Sequence, residues 1–134
     1  MNEAQNTQVV KNAYAAFQRG DIGGVLATLD DAIEWQAVIG TEGVVPHAGV
    51  RRGVSGVGEF FSLLGTTTDF QAFEPQEFIA EGDQVAVVGK YKAKVKPTAK
   101  TIESGWVMIF TFKNGKIVRF REFTDSAQLV RAYQ

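Results

Sequence analysis

From Trp106 to Glu122 the chain alternates apolar and polar residues around one Asn114-Gly115, the dipeptide that most strongly specifies a β-hairpin. Its turn decides which side chains share a face. With a two-residue Asn114-Gly115 turn, Glu122 joins Val107, Ile109, Thr111, Val118 and Phe120, while Arg119 and Arg121 fall among Trp106, Met108, Phe110 and Phe112. Burying two unpaired guanidiniums there would be costly. With a three-residue Lys113-Asn114-Gly115 loop and a left-handed Gly115, every partner shifts by one. Glu122 then lies opposite Trp106, on a face with Met108, Phe110, Phe112, Val118 and Phe120. The three-residue loop is therefore expected. It leaves Val107, Ile109, Ile117 and Phe123, among Arg119 and Arg121, on the outer face.

An apolar hairpin face needs a cover, and the first half of the chain supplies it. Val10, Ala13, Tyr14 and Phe17 fall at i, i+3, i+4 and i+7 on a helix from about Glu3 to Arg19, which Gly20 stops. Asp21 is placed to cap a second helix carrying Ile22, Val25, Leu26 and Leu29. After Ser55 the same spacing returns in Val57, Phe60, Phe61 and Leu64. Three amphipathic helices require one common apolar surface.

The remaining segments read as strands. Ala32 to Ile39 alternates with Ile33 and Trp35 on one side and Glu34 and Gln36 on the other, and a glycine-rich loop follows. From Asp69 onward the pattern predicts strands over Phe70 to Ala80, Gln84 to Val95, Lys100 to Phe112 and Lys116 to Thr124. Their short connections imply an antiparallel meander. Asp125-Ser-Ala-Gln128 before Leu129 forms a capping box for a short last helix. The expected architecture is α+β: three N-terminal helices wrapped on a curved antiparallel sheet, in a single domain spanning residues 1–134.

Composition narrows the function classes. Fourteen Lys and Arg against fifteen Asp and Glu leave no field to recruit nucleic acid, and the Lys90, Lys92, Lys94, Lys96 stripe reads as a solvated face or edge guard. Without cysteine, and with a single histidine and dispersed carboxylates, no metal site is expected. Gly53-Val-Ser-Gly-Val-Gly58 lacks the Lys-Ser/Thr ending of a phosphate loop. No secretory leader or apolar run of about 20 residues is present, so a cytoplasmic protein without membrane contact is expected.

Among candidate chemical groups, Glu122 stands out: a carboxyl facing Trp106 and Phe120 would lose hydration and have its pKa raised into a useful acid-base range. His47, in a loop, is the only side chain that titrates near neutrality unaided and is a candidate rim contact. Tyr14, Phe17, Trp35, Phe61, Trp106, Met108, Phe110 and Phe120 are the candidate walls. Asp125 is read as a helix cap.

Tyr14-Ala-Ala-Phe-Gln-Arg-Gly-Asp21, Asp31-Ala-Ile-Glu-Trp35, His47-Ala-Gly-Val-Arg-Arg-Gly53 before Phe60-Phe61, and Phe110 through Asp125 together resemble the SnoaL-like proteins of the nuclear transport factor 2-like superfamily. The resemblance spans nearly the whole chain. It implies a cone around an apolar cavity and a homodimer built on the sheet's outer face. It also implies cofactor-independent acid-base chemistry of isomerase or polyketide cyclase type on a small, apolar, cyclic molecule, with Glu122 and His47 as the groups available. A non-catalytic ligand-binding or dimerising scaffold is the alternative. The superfamily's steroid isomerases use a tyrosine and two aspartates. Their positions fall on Ala13, on Gln36 or Ala37, and on Met108, which disfavours that chemistry.

Overall fold

A computed structural model of the chain describes residues 2–134. Helix α1 (Glu3–Gln18) begins at a capping box in which the Asn2 side chain accepts from the Gln5 N–H and the Gln5 side chain accepts from the Asn2 N–H. Gly20, at φ 77°, ends the turn that follows. Asp21 caps α2 (Ile22–Leu26) by accepting from the Gly24 N–H at 2.9 Å. That helix is shorter than its apolar spacing predicts. Two glycines lower its propensity, and the Thr28 carbonyl accepts from the Ile117 N–H, drawing Leu29 into a strand.

Strand β1 (Leu29–Ala37) is followed by β2 (Gly49–Arg52) at the end of the glycine-rich segment read as loop, and then by α3 (Gly53–Thr67). Four strands close the sequence: β3 (Thr68–Glu81), β4 (Gln84–Val95), β5 (Lys100–Lys113) and β6 (Lys116–Thr124), before α4 (Ser126–Tyr133). They form one open six-stranded sheet in the order β2-β1-β6-β5-β4-β3. The sheet is mixed rather than wholly antiparallel, because β1 lies parallel to β6 and closes the long connection through β2, α3 and the meander. No helix among the described residues is long and apolar enough to cross a membrane.

The hairpin that constrains the fold is built differently from expectation. Asn114 (φ 51°) and Gly115 (φ 78°) are both left-handed, so the connection is the two-residue turn, with Lys113 opposite Lys116 and Phe112 opposite Ile117. The next pair is Thr111 with Arg119, which leaves Val118 as an extra residue in β6. This bulge restores the parity expected of the longer loop and moves Glu122 opposite Met108 rather than Trp106, whose partner is Thr124. It also corrects the position of Ile117. Placed on the outer face by simple alternation, Ile117 is 1% exposed, since the bulge turns both it and Phe120 inward.

Strand β3 uses the same device twice. Its register against β4 shifts between Phe70 and Ala72 and again between Pro75 and Glu77. Two extra residues therefore bring Phe70, Phe73 and Phe78 opposite Ala93, Tyr91 and Val87 on the inner face, where strict alternation would separate them. As an edge strand carrying bulges and Pro75, β3 is also a poor template for another chain. Beneath it, Gly89 leaves room for the Trp106 indole: a Cβ there would lie 2.7 Å from Trp106 Cε2 and 2.6 Å from the Glu74 carbonyl oxygen. On the outer side of β4, Lys90 pairs with Glu74 at 3.5 Å and Lys92 with Glu103 at 3.6 Å. These exposed pairs engage two of the four lysines of the stripe.

Helix α4 is tied down by side chains standing in for backbone. Asp125 accepts from the Gln128 N–H at 3.0 Å, and Gln128 exchanges two 2.9 Å hydrogen bonds with the Glu103 backbone. Leu129 and Ala132 are thereby buried against β5.

Candidate active site

The inner face of the sheet and the helices enclose a cavity of about 100 Å³. Glu122, His47, Tyr14, Phe17, Trp35, Phe61, Trp106, Met108, Phe110 and Phe120 all line it. So do Phe60, Phe70, Phe73, Tyr91 and Thr124, which are not among the walls expected from the sequence. The common face of Phe70 and Phe73 depends on a bulge in β3 that alternation does not reveal, whereas Tyr91 follows the plain alternation of β4. Among the described residues, Glu122 is the only Asp, Glu, Lys or Arg that lines it.

Aromatic rings pack edge to face or stacked around most of the wall. Trp35 stacks on Phe120 with centroids 3.8 Å apart, and Trp106 on Phe73 at 5.1 Å. Tyr14, from α1, lies within 5.9 Å of Trp106 and Phe110. Its hydroxyl donates to the Met108 sulfur at 3.1 Å, a weak acceptor that a stronger one would displace. Burial, and secondarily the nearby Glu122 carboxyl, push the Tyr14 phenol well above its usual range. It stays protonated. Burial likewise raises Tyr91 to about 12.

Glu122 reaches this space from β6 because the Val118 bulge sets its parity. Although half-buried, it lines the cavity and has neither an ion pair nor a hydrogen-bond donor among the described residues. Desolvation alone accounts for a pKa raised from 4.5 to about 7. The arginines of the same strand lie outside, where Arg119 approaches Glu34 at 4.0 Å and Arg52 pairs with it at 3.1 Å.

His47 is not a rim residue. It is 5% exposed, held edge-on to Phe60 at 5.6 Å and beside Tyr133 at 6.3 Å, with Nδ1 buried and unpartnered. Burial first, then the Arg51 charge, lower its pKa to about 4. The imidazole is therefore neutral at pH 7, and the group titrating near neutrality is Glu122. Asp125 is exposed, and the Gln128 backbone N–H it accepts holds its carboxyl below the usual range. Its observed contacts are those of a helix cap.

A curved mixed sheet covered by N-terminal helices, enclosing an apolar cavity, defines the nuclear transport factor 2-like class. Residues 10–120 match the SnoaL-like domain, and the chain belongs to that family. It is similar over its full length to a nuclear transport factor 2-like protein from Burkholderia xenovorans, with 35% identity, 99% of that chain covered and a TM-score of 0.89. TerC, co-crystallised with polyporic acid, is 26% identical over 96% of this chain and 98% of its own, with a TM-score of 0.85. A candidate SnoaL-like polyketide cyclase from Mesorhizobium loti is 22% identical over 92% of this chain and 99% of its own. At a TM-score of 0.73, that likeness shows the fold alone. No curated protein matches significantly.

The raised pKa has a consequence for stability. Because the folded value lies above that of an unfolded glutamate, the stability linked to neutral Glu122 is fully present below about pH 4.5 and is lost as pH rises through 7. The loss is at most about 3 kcal/mol, allowing for partial solvent screening. Glu122→Gln should therefore raise the thermal midpoint at pH 8 by several degrees and change it little at pH 4.5. Equal shifts at both pH values, followed by circular dichroism, would contradict the assignment.

Proposed function

We propose that the chain is an acid-base enzyme that moves a proton on a small, apolar, cyclic molecule without a cofactor. The unpartnered Glu122 carboxyl in an aromatic cavity carries this reading, because a general base is most effective with a pKa near the working pH. As carboxylate, Glu122 removes a proton from carbon beside a substrate carbonyl. The Tyr14 hydroxyl turns from the Met108 sulfur to donate to the oxygen on which charge develops, and the protonated Glu122 returns its proton to another carbon or to oxygen. His47, neutral and walled in, serves as a hydrogen-bonding contact rather than as the base. TerC's co-crystallisation with polyporic acid supports a cavity of this fold receiving a small organic molecule.

Size sets a limit. A cavity of about 100 Å³ is smaller than the roughly 300 Å³ at which ordinary ligand pockets begin, so it suits one small ring rather than a polycyclic substrate. The same observation favours the second reading, a non-catalytic binding or dimerising scaffold whose own side chains fill most of the cone.

We also propose a homodimer through the outer sheet face. Across the strands, Phe123, Val107 and Val88 form one row and Arg121, Ile109, Ala86 and Ile79 the next. Phe123 and Ile79 are 47% and 58% exposed. An apolar centre with charged borders suits a protein interface.

Two measurements test these proposals. In D2O, the protein should accelerate α-deuteration of cyclopentanone above buffer, with a rate rising through pH 7, and Glu122→Gln should cut the enzymatic rate at least about 100-fold. A Glu122→Gln rate equal to wild type would remove Glu122 as the base. Sedimentation velocity at micromolar concentration should give a dimer that Phe123→Glu dissociates. A monomeric wild type would refute the interface.

A further inference from the structure

A half-buried carboxyl that faces the cavity without a partner also determines what charge the cavity accepts. No lysine or arginine is among the lining residues, so nothing there would offset an anionic ligand beside Glu122. A neutral ligand can still occupy the cavity, but only a cation of similar size adds an ion pair to the carboxylate. The walls supply what a cation needs. Eleven of the lining side chains are Phe, Tyr or Trp, whose ring faces attract positive charge.

We propose that the cavity selects a small organic cation, a protonated amine or alkylammonium group, with the Glu122 carboxylate as counter-ion and the rings of Tyr14, Tyr91 and Trp106 as its cage. This goes beyond the acid-base reading, because binding of this kind needs no turnover. The volume fits a compact group: a cavity on the order of 150 Å³ holds benzene, so one of about 100 Å³ suits a trimethylammonium-sized body.

Proton balance follows from the groups around Glu122. Tyr14 of α1 and Tyr91 of β4 approach it, Tyr133 of α4 adjoins Tyr91, His47 lines the same cavity from the loop before β2, and Asp125 caps α4 nearby. Tyr14 and Tyr91 keep their protons up to high pH, and His47 is neutral above about pH 4. Of the cavity-lining groups Tyr14, His47, Tyr91 and Glu122, only Glu122 changes charge between pH 6 and pH 8. Taking up an ammonium ion against a protonated Glu122 therefore releases one proton to solvent. Above pH 7 the carboxylate is already formed and none is released.

The test is a charge series on one compact trimethyl core: trimethylammonium, tert-butyl alcohol and trimethylacetate. Binding is read from the fluorescence of Trp35 and Trp106, the chain's two tryptophans, both on the cavity wall. At pH 8, trimethylammonium should bind at least tenfold more tightly than the alcohol, and trimethylacetate should not bind. Affinity for the cation should fall about tenfold from pH 8 to pH 6, with calorimetry in two buffers showing the released proton. Glu122→Gln should lose both the preference and its pH dependence. The wild-type series stands alone should that variant fail to fold. Equal or tighter binding of the alcohol or the acid, a pH-independent cation affinity, or no binding of the three would overturn the proposal. A negative result here leaves the deuteration test of the base untouched, and a failure of that test leaves cation binding intact.

Discussion

Inner-face parity in β6 is the constraint on which the site depends. A two-residue turn at Asn114-Gly115 and an extra residue at Val118 together turn Ile117, Phe120 and Glu122 inward while keeping Arg119 and Arg121 out. A slip of one residue would reverse this arrangement, placing guanidiniums against Trp106 and Phe110. The cost of burying those charges gives the fold strong reason to hold the register. Trp35 stacking on Phe120 then locks β1 alongside β6, which makes the sheet mixed and brings α3 over the cavity.

Periodicity was enough to read most of the architecture. The apolar spacing of α1 and α3, the Asp21 and Asp125 caps, and the bounds of β4 and β6 all follow from local rules that tertiary contacts reinforce. What local rules missed has a common origin in pairing between distant segments. β2 is a four-residue strand that exists only against β1, and Leu29 leaves its helix because β6 captures it. The bulges at Val118 and in β3 are settled by which side chains can be buried, and alternation alone does not encode them. The face of Glu122 was nevertheless legible, because the energetic argument concerned the arginines and held for either way of making the shift.

The site shows an exchange of roles between its two ionisable candidates. A free histidine titrates near neutrality and a free glutamate near 4.5, yet enclosure among aromatic rings moves His47 down to about 4 and Glu122 up to about 7. Desolvation acts on both in the same sense, disfavouring charge. The consequence is a cavity whose single chargeable group near pH 7 is an acid without a partner, held at some expense to stability. The walls of Tyr14, Trp106 and Phe110 fix its surroundings.

The ionisation of Glu122 is the quantity from which the stability, catalytic and ligand arguments all descend. It can be read directly by infrared difference spectroscopy of the carboxyl C=O band, wild type minus Glu122→Gln, across pH 4 to 9. One carboxyl, absent from the variant, should lose its proton with a midpoint near 7. A midpoint near 4.5, the value of a solvated glutamate, would contradict it.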